Sequence, residues 1–154
     1  MSATRLKAHE RTKPERTGMS EPLMSTRVLL ADVAQARSGD KADLANVALF
    51  APTDALYEAF KREVTPQRVK DLFGRFVKGA VDRYEVPTVR ALNFVLHQAL
   101  DGGAARSLRS DPLGKSYGSL LLRLEIDLRE GELEGIEVRS LRARPGAGAR
   151  TPGR

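Results

Sequence analysis

Hydrophobic and polar positions fall along this chain in stretches of distinct period. Thr26 to Ala34 is apolar and β-branched and predicts a first strand, and Leu44 to Phe50 predicts a second. The segment between them, Ala36-Arg37-Ser38-Gly39-Asp40-Lys41-Ala42-Asp43, is densely polar and predicts a binding loop held at both ends by buried strands. Pro52-Thr53-Asp54 then supplies a stop and a cap. Leu56, Ala59 and Phe60 follow at helical spacing. Thr65-Pro66 offers an N-cap and a proline at the first helical position. Val69, Leu72, Phe73, Phe76 and Val77 behind it predict the clearest helix in the chain. Gly74 lies within that pattern and weakens it by about 1 kcal/mol relative to alanine.

Further on, Ala80 to Val86 predicts a strand closed by Pro87. Val89 to Leu100 fits a strand or a helix equally well. In either, Asn93 and His97 share a face because they are four residues apart. Asp101-Gly102-Gly103 is a turn, and Asp111-Pro112 opens a short helix reaching Leu121. Leu122, Leu124, Ile126 and Leu128 alternate with charged residues, as in a half-exposed antiparallel strand. Ile136 and Val138 suggest a weak last strand. The sum is an α+β domain, a mainly antiparallel sheet with helices packed on one face.

Composition changes this picture mainly at the ends. Of 26 Lys/Arg and 20 Asp/Glu, nine cations and three acids lie in residues 1–23 and 142–154, so the net charge of +6 belongs to the tails and the body between them is neutral. A nucleic-acid domain usually concentrates cations on its folded face, which argues against that class. The expected organisation is a disordered extension over 1–24, a domain over 25–141 and a disordered Arg/Gly/Pro tail over 142–154. Met24 precedes the first apolar run directly and, with Met1 and Met19, is a candidate translation start. There is no cysteine, which excludes disulfides, thiolate metal sites and a cysteine nucleophile. No apolar run approaches the ~18 residues of a membrane span, so a cytoplasmic protein is the expectation.

The candidate chemistry is anion recognition. Arg37 and Lys41 bring charge, Gly39 frees the backbone, and Ser38, Asp40 and Asp43 complete the cluster. The three-residue spacing of Asp40, Asp43 and Asn46 lacks the alternate acids of a calcium loop, so no metal and no cofactor is expected. His97 is the only imidazole within the domain. With Asp40 it is the candidate general acid–base, and Asn93 lies beside it. Arg106-Ser107-Leu108-Arg109 reads either as a charged edge strand or as a second anion clamp facing the first segment. Gly114-Lys115-Ser116 lacks the upstream glycine of a phosphate loop, since that position is Arg109.

Taken in order, Ala36 to Lys41, Arg83-Tyr84-Glu85-Val86-Pro87, Ala91 to His97, Leu100-Asp101-Gly102-Gly103 and Ser107-Leu108-Arg109 through Gly114-Lys115 form a series. It resembles the small C-terminal domain of the acyclic terpene utilisation AtuA family over about residues 26–129. The resemblance implies a ferredoxin-like fold and a place in acyl-CoA or terpenoid-type catabolism. Residues 1–25 cannot hold the family's large domain. The expectation is therefore a stand-alone small subunit that pairs with a separate AtuA-type large subunit. In that reading Arg37, Lys41 and Arg109 clamp an acyl-CoA or carboxylate ligand, Asp40 orients them, and Asn93, His97 and Arg106 complete a joint site. Two alternatives stay open. One is a self-sufficient CoA-ester hydratase or lyase using His97 or Asp40; the other is a nucleic-acid binder acting through its tails. A homo-oligomer is also open.

Overall fold

The computed structural model describes residues 25–138; the two tails expected from the sequence lie outside the described residues. In chain order the elements are β1 (Ser25–Leu29), α1 (Leu30–Val33), β2 (Gln35–Lys41), β3 (Leu44–Phe50), α2 (Asp54–Glu63), α3 (Pro66–Phe73), β4 (Val81–Val86), β5 (Ala91–Leu96), α4 (Tyr117–Leu121) and β6 (Glu125–Arg129). Short 3-10 turns follow α3 and β4.

The strands form two sheets rather than the one expected. Four of them pair in the order β2-β3-β5-β4, antiparallel throughout, and β1 pairs with β6 in a separate antiparallel ribbon. Alternation decides which side of the larger sheet is buried. Ala45, Val47 and Leu49 of β3 and Leu92, Phe94 and Leu96 of β5 point one way and are fully covered. Against them lie Leu56 and Phe60 of α2, Val69 and Phe73 of α3, and Tyr117 and Leu121 of α4, while the ribbon adds Val28, Ile126 and Leu128 to the same core. Arg62 ties the ribbon to α2, donating to both carboxylate oxygens of Glu132 (2.9 and 3.1 Å) and to the Asp127 carbonyl. The opposite face of the four-stranded sheet carries no element among the described residues.

The helix caps are those the sequence predicts: Thr53 Oγ1 accepts from the Leu56 amide and Thr65 Oγ1 from the Arg68 amide, each at 3.2 Å. Other boundaries differ, for physical reasons. The first strand stops at Leu29. The Leu30 and Ala31 amides still reach the carbonyls of Leu124 and Leu122, but the Ala34 amide turns back to Leu30, and the single turn puts both Leu30 and Val33 in the core. The third helix ends at Phe73 because Gly74 takes φ 50°, so Gly74 terminates the helix instead of weakening it, and Phe76 falls beyond its end.

The ambiguous segment is strand β5, with Asn93 and His97 on one face as expected. The helix expected from Asp111 starts only at Tyr117. Asp111 stays outside it and accepts hydrogen bonds from the Lys115 amide (2.9 Å), the Ser116 amide (2.8 Å) and the Ser116 hydroxyl (2.5 Å). No last strand forms at Ile136 and Val138. Residues 131–135 make turns, and both side chains lie half-buried against the core.

Candidate functional site

The polar segment Arg37–Asp43 is not a loop. Residues 35–41 are strand β2, paired along their whole length with β3, and the chain reverses in two residues, Ala42 and Asp43. Ala42 takes φ 54°, and the reversal is clamped from outside. Asp43 Oδ1 accepts from the amides of Leu100 (3.0 Å) and Gly102 (2.8 Å), and its carbonyl accepts from Ala99 (2.9 Å). Gly103, at φ 80°, approaches so closely that a Cβ there would lie 2.4 Å from the Ala42 carbonyl oxygen.

Pairing as a strand sends alternate residues to opposite faces and so divides the expected site in two. Ser38 and Asp40 point to the helix side. Ser38 Oγ donates to the Lys115 carbonyl and accepts from the Gly118 amide, both at 3.0 Å, and Asp40 pairs with Lys115 Nζ at 3.2 Å. With Asp43 these are fasteners between the hairpin, α4 and the glycine turn. Asp40 and Asn46 lie on opposite faces of the sheet, so the oxygen-ligand spacing does not converge, and no cluster of His, Asp or Glu suited to a metal exists among the described residues.

Arg109 does not face Arg37 either. Its segment is irregular, not an edge strand, and its Nη1 donates to the carbonyls of Ala99 (2.7 Å) and Phe76 (3.2 Å). Arg106 lies in a shallow cleft with Asp43, Lys78, Gln98, Asp101 and Gly102. Lys78 Nζ bonds Asp101 there at 2.8 Å and, with Arg109 adding to it, holds that carboxyl below the usual range.

What converges is the open face of the sheet. The registers place Arg37, Ala48, Asn93 and Tyr84 in one row across β2, β3, β5 and β4, and Gly39, Asn46, Val95 and Asp82 in the next. Lys41 and Leu44 pair in the row beyond, and His97 follows the end of β5 on the same face. Arg37 and Lys41 therefore flank Gly39 on one edge, with their Cα atoms about 13 Å apart by strand rise. The side-chain oxygen of Asn46 sits 3.2 Å from where a Cβ of Gly39 would be, so the glycine makes room for the amide. Arg37, Lys41, Asn46 and Asn93 have no side-chain hydrogen bond or ion pair with any described residue.

At the far edge His97 Nε2 meets Asp82 Oδ2 at 2.8 Å, with both side chains nearly half exposed. Tyr84 is 55% exposed. Of the residues singled out from sequence, Arg37, Gly39, Lys41, Asn93 and His97 share this face; Ser38, Asp40, Asp43, Arg106 and Arg109 do not. Asp82 and Tyr84 were missed, and Asn46 was weighed only as a metal ligand. Two free cations beside two free amides can hold a carboxylate or phosphate.

Residues 28–127 match a family model described as the AtuA ferredoxin-like domain. No curated protein and no solved structure matches the chain. No helix among the described residues is long and apolar enough to cross a membrane.

Proposed function

The chain belongs to the AtuA ferredoxin-like domain family, and from that premise we propose that it is the small module of a larger AtuA-type assembly, working in the cytoplasm. Its part is to present an anion-holding sheet face, and its ligand is an acyl-CoA or carboxylate of acyl-CoA or terpenoid-type catabolism. One observation carries this reading: Arg37 and Lys41 stand without partners among the described residues on the helix-free side of the sheet, around Gly39 and Asn46. A cation left unpaired on an exposed strand keeps its hydration until an anion arrives, and the strand holds its backbone in place beforehand. The face offers binding groups, which suits a subunit that shares a site with a larger partner.

The test is calorimetric titration of the chain with CoA esters and with the matching free acids, alone and with a larger AtuA-type protein added. Saturable binding that disappears in Arg37→Ala and Lys41→Ala, with the melting temperature unchanged, is the expected result. At a hundredfold excess over Kd the ligand should add about 2.7 kcal/mol of stability. Absence of heat with every ligand, with and without the larger protein, would overturn the reading.

The hydratase or lyase alternative rests on the His97–Asp82 contact, in which a carboxylate orients an imidazole. Asp40 drops out of it because it is bound to Lys115 on the other side of the sheet. Turnover of a CoA ester by the chain alone, abolished in His97→Ala, would favour it.

A further inference from the structure

Arg109 is an anchored arginine with an unused edge. All its bonds to protein run through Nη1, to Ala99, Phe76 and, at 3.5 Å, the Tyr117 hydroxyl. A guanidinium carries five N–H donors, so Nε and Nη2 remain without a partner among the described residues. The group is stacked 5.7 Å above the Phe76 ring, and Arg75 lies 5.5 Å from the same ring. Arg109 and Phe76 line a cleft of about 310 Å³ together with Tyr117 and Leu120. Asp111 also borders it, but both its oxygens are taken up by the Ser116 and Lys115 groups. Burial alone would raise the Asp111 carboxyl, yet those hydrogen bonds hold it below the usual range.

Phe76 is 42% exposed and Leu108, next to Arg109 in sequence, is completely exposed. A small carboxylate would satisfy the guanidinium edge and leave this apolar surface wet. A polypeptide with a glutamate or aspartate beside a large apolar side chain would meet both, the acid on Arg109 and the apolar side chain against Phe76 and Leu108.

We propose that the Phe76–Leu108–Arg109 surface is a docking site for an acidic, apolar segment of a partner protein. It is separate from the open sheet face and does not depend on what binds there. The preset guanidinium supplies orientation, because its plane is fixed by the Ala99 and Phe76 carbonyls before the partner arrives.

The experiment is fluorescence anisotropy of a labelled amphipathic peptide of glutamate and leucine, with its lysine-for-glutamate counterpart as control, titrated with the full chain. Saturable binding of the acidic peptide alone is expected, at least tenfold weaker in Phe76→Ser and Leu108→Ser and unchanged in Arg37→Ala. Both serine variants change exposed side chains and should melt like the parent; Arg109→Gln is a supporting variant because it also frees two carbonyls. No saturable binding, equal binding of both peptides, or binding indifferent to Phe76→Ser and Leu108→Ser would overturn the proposal. Concentration-dependent self-association seen by light scattering and lost in Leu108→Ser would overturn it in favour of a second copy of this chain.

Discussion

At the scale of single residues, the structure separates side chains that hold the fold from side chains left free to act. Glu132 is of the first kind. The hydrogen bonds from Arg62 hold its carboxyl below the ordinary value of 4.5 even though burial pushes the other way. A lowered folded value means the stabilisation is complete above the unfolded value and is lost as pH falls through the folded one. The melting temperature should therefore drop steadily below about pH 4.5, and Glu132→Gln should flatten that drop and cost about 1–2 kcal/mol at neutral pH. Thermal melts across an acid series check both.

Gly103 is also of the first kind. Alanine there meets both the positive φ and the Ala42 carbonyl, so Gly103→Ala should destabilise by well over about 1 kcal/mol, measured by denaturant unfolding. Arg37 and Lys41 are of the second kind. The sequence marks them as candidate ligand-binding cations, but it cannot separate them from Ser38 and Asp40, because nothing in residue type says which way a side chain points.

At the scale of elements, the informative case is β2. Its seven residues, Gln-Ala-Arg-Ser-Gly-Asp-Lys, lack the β-branched and apolar content that marks strands, and by composition they read as loop. They become a strand because β3 beside them is an unmistakable one and the reversal at Ala42–Asp43 is locked from three amides. Tertiary context overrides propensity, as it commonly does in sheets.

Ser38 shows what the helix side of β2 contributes. Ser38→Ala removes one acceptor and one donor between β2 and α4, and should cost about 1–2 kcal/mol. Amide exchange should quicken over residues 115–121 and stay unchanged over α2 and α3. The starts of α2 and α3, by contrast, are legible almost to the residue, since caps and a first-turn proline are local chemistry. Their ends were less so: Gly74 reads as a tolerated defect until its φ shows that it is the stop.

At the scale of the whole molecule, the sheet is covered on one side only, and this asymmetry should be measurable. Phe94, wholly buried on the helix side, should cost about 3–5 kcal/mol on change to alanine. Tyr84, 55% exposed on the edge strand β4, should cost less than about 0.5 kcal/mol on the same change; the pair of unfolding curves decides whether the open face contributes to stability. The sequence by itself determined the α+β class, the antiparallel strands at residues 44–50 and 81–86, the helix starts at Thr53 and Thr65, the neutral body between charged ends, and the family, because each depends on local patterning, capping chemistry or an ordered series of motifs. Only the tertiary structure decided that β1 and β6 leave the main sheet, that Arg109 serves a different surface from Arg37, and that Arg37, Asn93 and Tyr84 form one row. The first two depend on which distant segments pack together and the last on strand register, where a one-residue shift would have moved each side chain to the other face.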